Sequence, residues 1–93
     1  MNEETATRLV PEKRFRVGEI VEHMGIGRQT LHNYTMLGLI SPVERTRGGH
    51  RLYGEGVFTR LARIEQMKAR GMKLLEIRDA LNSTGVAGEG LRA

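Results

Sequence analysis

The chain contains no cysteine, which removes disulfides and thiolate metal centres from consideration. No apolar run approaches the roughly 20 residues that span a bilayer. Met1 to Arg8 carries Glu3 and Glu4 rather than an apolar stretch, so neither a membrane segment nor a secretory leader is expected. Serine is scarce: Ser41 and Ser83 are the only candidates for a serine nucleophile, and neither lies in an elbow motif. Asp79 is the sole aspartate, and neither paired carboxylates nor a G-x-x-x-x-G-K phosphate loop stands out. An enzyme is not expected. His23, His32 and His50 fall in separate segments with no second ligand close by, so no metal or other cofactor is expected either.

What is present is basic. Ninety-three residues with a net charge of +4 and a pI near 10.1 suit one small domain with a polyanionic partner. Met1 to Lys13 shows no periodicity and contains Pro11; it reads as a disordered arm, residues 1–13. "RFRV" is then a short extended stretch, after which Val17, Ile20, Val21 and Met24 recur at i, i+3, i+4 and i+7, the apolar face of a two-turn helix that Gly25 ends. Gly27 is placed as the N-cap of a second helix, "RQTLHNYTML", with Leu31 and Tyr34 inward and Gly38 as its breaker. Two short helices joined by about three residues that include glycine form a helix-turn-helix pattern.

Pro42 blocks further helix, and "VERT" and "HRLY" read as two short strands around Gly48 and Gly49. Both glycines are expected to supply the positive φ of a tight hairpin turn. A protruding hairpin dense in arginine beside a helix-turn-helix is a wing. A four-turn helix should follow from Gly54, with Val57, Leu61, Ile64 and Met67 inward. After Gly71 a last short helix carries Leu74, Ile77 and Leu81. Asn82 to Ala93, with Gly85, Gly88 and Gly90, reads as a flexible glycine-rich tail, residues 82–93. The fold class expected is mainly α: a winged helix-turn-helix with a small β-hairpin wing and a second helix pair, over residues 14–81. None of the four helix starts, near Arg16, Gly27, Gly54 and Lys73, offers a side-chain oxygen, so all four helices are expected to be under-capped.

Once Leu31 and Tyr34 point inward, Arg28, Gln29, His32, Asn33 and Met36 are left on the outer face of the second helix. Amide and imidazole groups on such a face match the donors and acceptors of base edges in a major groove. Tyr34 stays open between a core ring and a hydroxyl that reaches a phosphate. Arg47, near the wing tip, is placed to enter a minor groove.

"FRVGEIVEHMGIGRQTLHNYTMLGLISPVERTRGGHRLY" followed by "LARIEQMKARGMKLLEIRDAL" resembles the DNA-binding domain of the MerR family of bacterial transcription regulators. The resemblance runs from Arg14 to about Leu81. It rests on "TLHNY", the "GLISP" that follows, the "GGHRLY" wing and "GMKLLEIR". It implies a cytoplasmic, nucleoid-associated, sequence-specific binder of double-stranded DNA with its recognition helix in the major groove and its wing on flanking backbone. The implied DNA-binding residues are Arg28, Gln29, Thr30, His32, Asn33, Tyr34, Arg45, Arg47, His50, Arg51 and Tyr53, with Arg51 on a phosphate at the base of the wing. RNA polymerase at promoters is an implied further partner.

The chain departs from the family in its recognition helix. Members commonly carry arginine where Gln29 and His32 stand, tyrosine at Asn33 and glutamate at Thr35. Gln and Asn suit adenine edges and Arg suits guanine, so a different half-site is expected. Members also continue into a long dimerisation helix and an effector pocket. The glycine-rich tail here shows no heptad, and a monomer that pairs or lines up only on DNA is expected. Two other readings fit the same pattern: an excisionase-like architectural protein that bends DNA, and a winged-helix protein-interaction module whose wing docks an acidic partner.

Overall fold

The computed structural model of the protein describes residues 12–87, with side chains to Ser83. Strand β1 (Phe15–Arg16) runs without a linker into α1 (Val17–Met24). Helix α2 (Arg28–Met36), strands β2 (Glu44–Arg45) and β3 (Arg51–Tyr53), and helices α3 (Gly56–Ala69) and α4 (Leu74–Ala87) complete the order.

The apolar spacing of α1 puts Ile20 fully into the core, with Val17, Val21 and Met24 packed around it. Gly25 ends the helix at φ 72°, and its N–H donates to the Val21 carbonyl at 2.9 Å. Leu31 and Tyr34 from α2, Leu39 and Ile40 after it, Tyr53 from β3, Val57, Leu61 and Ile64 from α3, and Ile77 and Leu81 from α4 close one continuous core. Each such side chain contributes about 1.5–3 kcal/mol by leaving water. Arg60 ties three segments together: its Nε donates to the Leu39 carbonyl and its Nη2 to Asn82 Oδ1 at 2.6 Å.

The sheet has three strands in the order β1-β3-β2, both pairs antiparallel. Phe15 faces Tyr53 and Arg16 faces Leu52, while Arg45 faces Arg51. The hairpin expected around the glycines is therefore joined by the chain's own first strand, and β3 is the middle strand. The wing turn is also wider than a two-residue turn, since Thr46 to His50 lie between the paired arginines. Of the two wing glycines only Gly49 has a positive φ, of 89°. Gly48 does not, because Thr46 closes the loop by accepting from Gly49 N at 2.9 Å and, through Oγ1, from His50 N at 3.1 Å.

Capping differs from expectation in three places. The N–H of Arg16 donates to Glu19 at 2.7 Å and that of Lys73 donates to Glu76 at 2.8 Å, so a glutamate three residues into each helix reaches back to the cap. Neither cap residue carries an acceptor, so only that half of a capping box operates. The N-cap of α3 is Glu55, not Gly54. Gly27 does cap α2, without a side-chain hydrogen bond.

The last helix continues to Ala87, six residues into the segment read as a tail. Leu81 is buried and Asn82 is held by Arg60, so the helix is anchored just where the glycines suggested a break. The expected arm, residues 1–11, and the end of the expected tail, residues 88–93, lie outside the described residues.

Candidate nucleic-acid interface

Helix α2 is amphipathic in a particular way: its inner face is apolar and its outer face is uncharged polar with a cation at the start. Arg28, Gln29, His32, Asn33 and Met36 are all exposed, Met36 at 58%. Thr30 is half-buried. Gln29 Nε2 donates to Asn33 Oδ1 at 3.0 Å along the outer face.

The wing stands beside this helix and is joined to it. Arg51 Nη1 lies 3.4 Å from His32 Nδ1, which accepts when the imidazole is neutral, while the buried Arg51 Nε has no partner among the described residues. Arg45 Nη1 donates to the Gly49 carbonyl at 2.9 Å, stiffening the turn. Arg45, Arg47 and His50 are exposed. An open groove of about 680 Å3 runs between wing and helix pair, lined by Arg16, Arg28, Arg45, His50, Arg51, the first turn of α1, and Glu22. Arg16 and the start of α1 are thus part of the surface, although periodicity alone marked them only as the beginning of a helix.

The two tyrosines are placed in the core. Tyr34 is 2% exposed, and its hydroxyl donates to Glu65 Oε2 and accepts from Lys68 Nζ, both at 2.9 Å. Lys68 also lies 5.6 Å from the ring centroid. Of the two roles open to Tyr34, the structure supplies the core one. Burial raises its pKa above the ordinary phenol value, and the hydrogen bond to Tyr34 raises that of Lys68. Tyr53 is 1% exposed, with its hydroxyl 2.7 Å from Thr35 Oγ1. Thr35 donates its own proton to the Leu31 carbonyl, so Tyr53 is the donor of that pair. Tyr53 therefore fastens β3 to the back of α2, and neither ring joins the exposed surface.

Arg28, Gln29, His32 and Asn33 share one face, and the wing brings Arg45, His50 and Arg51 to the adjoining groove. Among the described residues no group of three His, Asp or Glu side chains is arranged to hold a metal, and no helix is long and apolar enough to cross a membrane.

A short helix pair, an exposed second helix and a basic hairpin fastened beside it define a winged helix-turn-helix domain. The chain belongs to the MerR family: the family described as MerR HTH family regulatory protein matches residues 15–84. It is similar to nodulation protein NolA of Bradyrhizobium diazoefficiens, 39% identical over 84 residues that make up 90% of this chain and 34% of NolA. It is also similar to the mercuric resistance operon regulatory protein of Bacillus cereus, 39% identical over 64 residues, covering 69% of this chain and 48% of that protein. Among solved structures, the N-terminus of MtaN, the Bacillus subtilis multidrug transporter activator, superposes with a TM-score of 0.69 at 34% identity, covering 72% of this chain and 63% of that one. HiNmlR, a MerR family regulator lacking the sensor domain and bound to promoter DNA, gives 0.69 at 26% identity, covering 80% and 59%. The chain spans about a third of the length of NolA.

Proposed function

We propose that this chain is a sequence-specific double-stranded DNA-binding module that regulates transcription, with α2 in the major groove and the wing arginines on flanking phosphates. The observation that carries the reading is the pairing of an uncharged, hydrogen-bonding outer face on α2 with a basic groove directly beside it. Base edges are read by donors and acceptors, whereas phosphates need positive charge, and the two chemistries sit side by side here. The DNA-bound state named for HiNmlR supports the same assignment. In this reading Arg16, Arg28, Arg45, Arg47 and Arg51 hold backbone, and Gln29, His32 and Asn33 face bases. The module acts in the cytoplasm, at promoters that RNA polymerase also occupies. It is a binder and not a catalyst.

Selection of bound duplexes from a random library tests this directly. A reproducible motif is expected. Failure to enrich any sequence, together with binding that ignores salt, would overturn the assignment. We also propose that the module pairs on DNA, because single modules seldom reach specific nanomolar affinity. Sedimentation should then give two copies per selected duplex and one copy free, and a stable free dimer would contradict it.

A further inference from the structure

We propose that Gln29 and Asn33 act as one coupled amide reader, in which Asn33 holds the Gln29 carboxamide in register with an adenine edge. This rests on the DNA-binding reading above and goes beyond it by naming the base and dividing the roles. Both side chains are exposed and lie one turn apart on α2. Gln29 Nε2 donates to Asn33 Oδ1 at 3.0 Å.

The donor inventory then sets what each side chain has left. A carboxamide carries two N–H donors and a carbonyl with two lone pairs. With one N–H given to Asn33, Gln29 keeps Oε1 and its second N–H. An acceptor beside a donor is the complement of adenine, which presents N6–H and N7 in the major groove. Asn33 has engaged its carbonyl oxygen and keeps both Nδ2 protons. It therefore favours an acceptor on the neighbouring base pair, guanine O6 or N7, adenine N7, or thymine O4.

The bond also removes a penalty. A free glutamine on a helix surface samples many rotamers and must lose that freedom when it meets a base. Here part of the ordering is present before DNA arrives. Asn33 is thus a positioning residue for Gln29 as well as a donor in its own right. His32, between them in sequence, is held by Arg51 of the wing, so it does not compete for the same amide.

The test uses the full chain, its selected duplex, and the same duplex with the adenine opposite Gln29 replaced by guanine. The wild type should discriminate between them by about 5- to 150-fold, the equivalent of about 1–3 kcal/mol. Gln29→Ala should abolish the discrimination, and so should Asn33→Ala at that same position. The double variant should show the same adenine-to-guanine ratio as Gln29→Ala within about 2-fold, with any further loss of affinity from the Asn33 donors falling equally on both duplexes. Asn33→Asp keeps an oxygen for the Gln29 N–H, so it should retain the adenine preference while weakening binding to every duplex through its added charge. Retained adenine preference in Asn33→Ala, or loss of the preference in Asn33→Asp, would each overturn the coupling while leaving DNA binding intact. If no duplex is enriched in the first place, the DNA-binding reading falls and the coupling falls with it.

Discussion

Tyr34 faces away from the proposed DNA surface, yet its hydroxyl joins α2 to α3 through Glu65 and Lys68. Its raised pKa means that the folded state keeps the phenol proton after the unfolded chain has released it. Above a pH of about 10 the folded protein therefore binds more protons than the unfolded one, and stability falls as pH rises. Lys68, also raised, acts in the same direction. Denaturant melts between pH 8 and 11 should show that decline, and Tyr34→Phe should flatten it while lowering stability at neutral pH. An equally steep decline in Tyr34→Phe would assign it to other groups. In the wing, Arg51→Ala should weaken binding to all duplexes alike, because a phosphate contact carries no sequence information. Loss confined to the preferred duplex would mean that Arg51 reads a base or acts through His32, which it contacts, rather than holding backbone. The division of α2 into inner Leu31 and Tyr34 and outer Gln29, His32 and Asn33 was legible from spacing. The partners of the tyrosine hydroxyls were not, because Glu65, Lys68 and Thr35 meet them only through tertiary packing.

At the scale of elements, the glutamates three residues after Arg16 and Lys73 were visible in the sequence, and each supplies half of a capping box. The cap residues themselves carry no acceptor, so these helix starts look barer from the N-cap alone than they are. Lys73→Ser would complete the box with Glu76 and remove a cation from the positive end of the α4 dipole. A gain of about 0.5–2 kcal/mol is expected from chemical denaturation, and no gain would mean that Glu76 already satisfies that helix start. In the wing, Gly49 alone holds a positive φ. Gly49→Ala should destabilise the domain by about 1–2 kcal/mol, whereas Gly48→Ala should be nearly neutral, since a Cβ there meets His50 at an ordinary 3.5 Å. Equal effects at both positions would contradict the turn geometry. The length of α4 escaped local reading because Gly85 argues for a break, while the packing of Leu81 and the Arg60–Asn82 bond favour continuation.

For the whole molecule, four or five arginines on phosphates should give a slope of log K against log salt of about −4, near −0.9 per contact. Arg60 is not among them, since its guanidinium is committed to Leu39 and Asn82. A slope near zero would remove the basic groove from the interface. Helix count and order were legible because apolar spacing is a local signal. The extended stretch at Phe15 and Arg16 was legible too, but its pairing into the sheet was not, because Phe15 and Tyr53 are far apart in sequence and meet only through tertiary packing. That separation has a consequence for the order of assembly. Helical turns and the wing hairpin close short loops, whereas β1 must close a long one for very few backbone bonds, so its pairing should come late in folding and open early. Truncating Phe15 should then speed unfolding far more than it slows folding, and the amides of β1 should exchange before those of α3. The first strand would thus be the latch by which the domain comes apart.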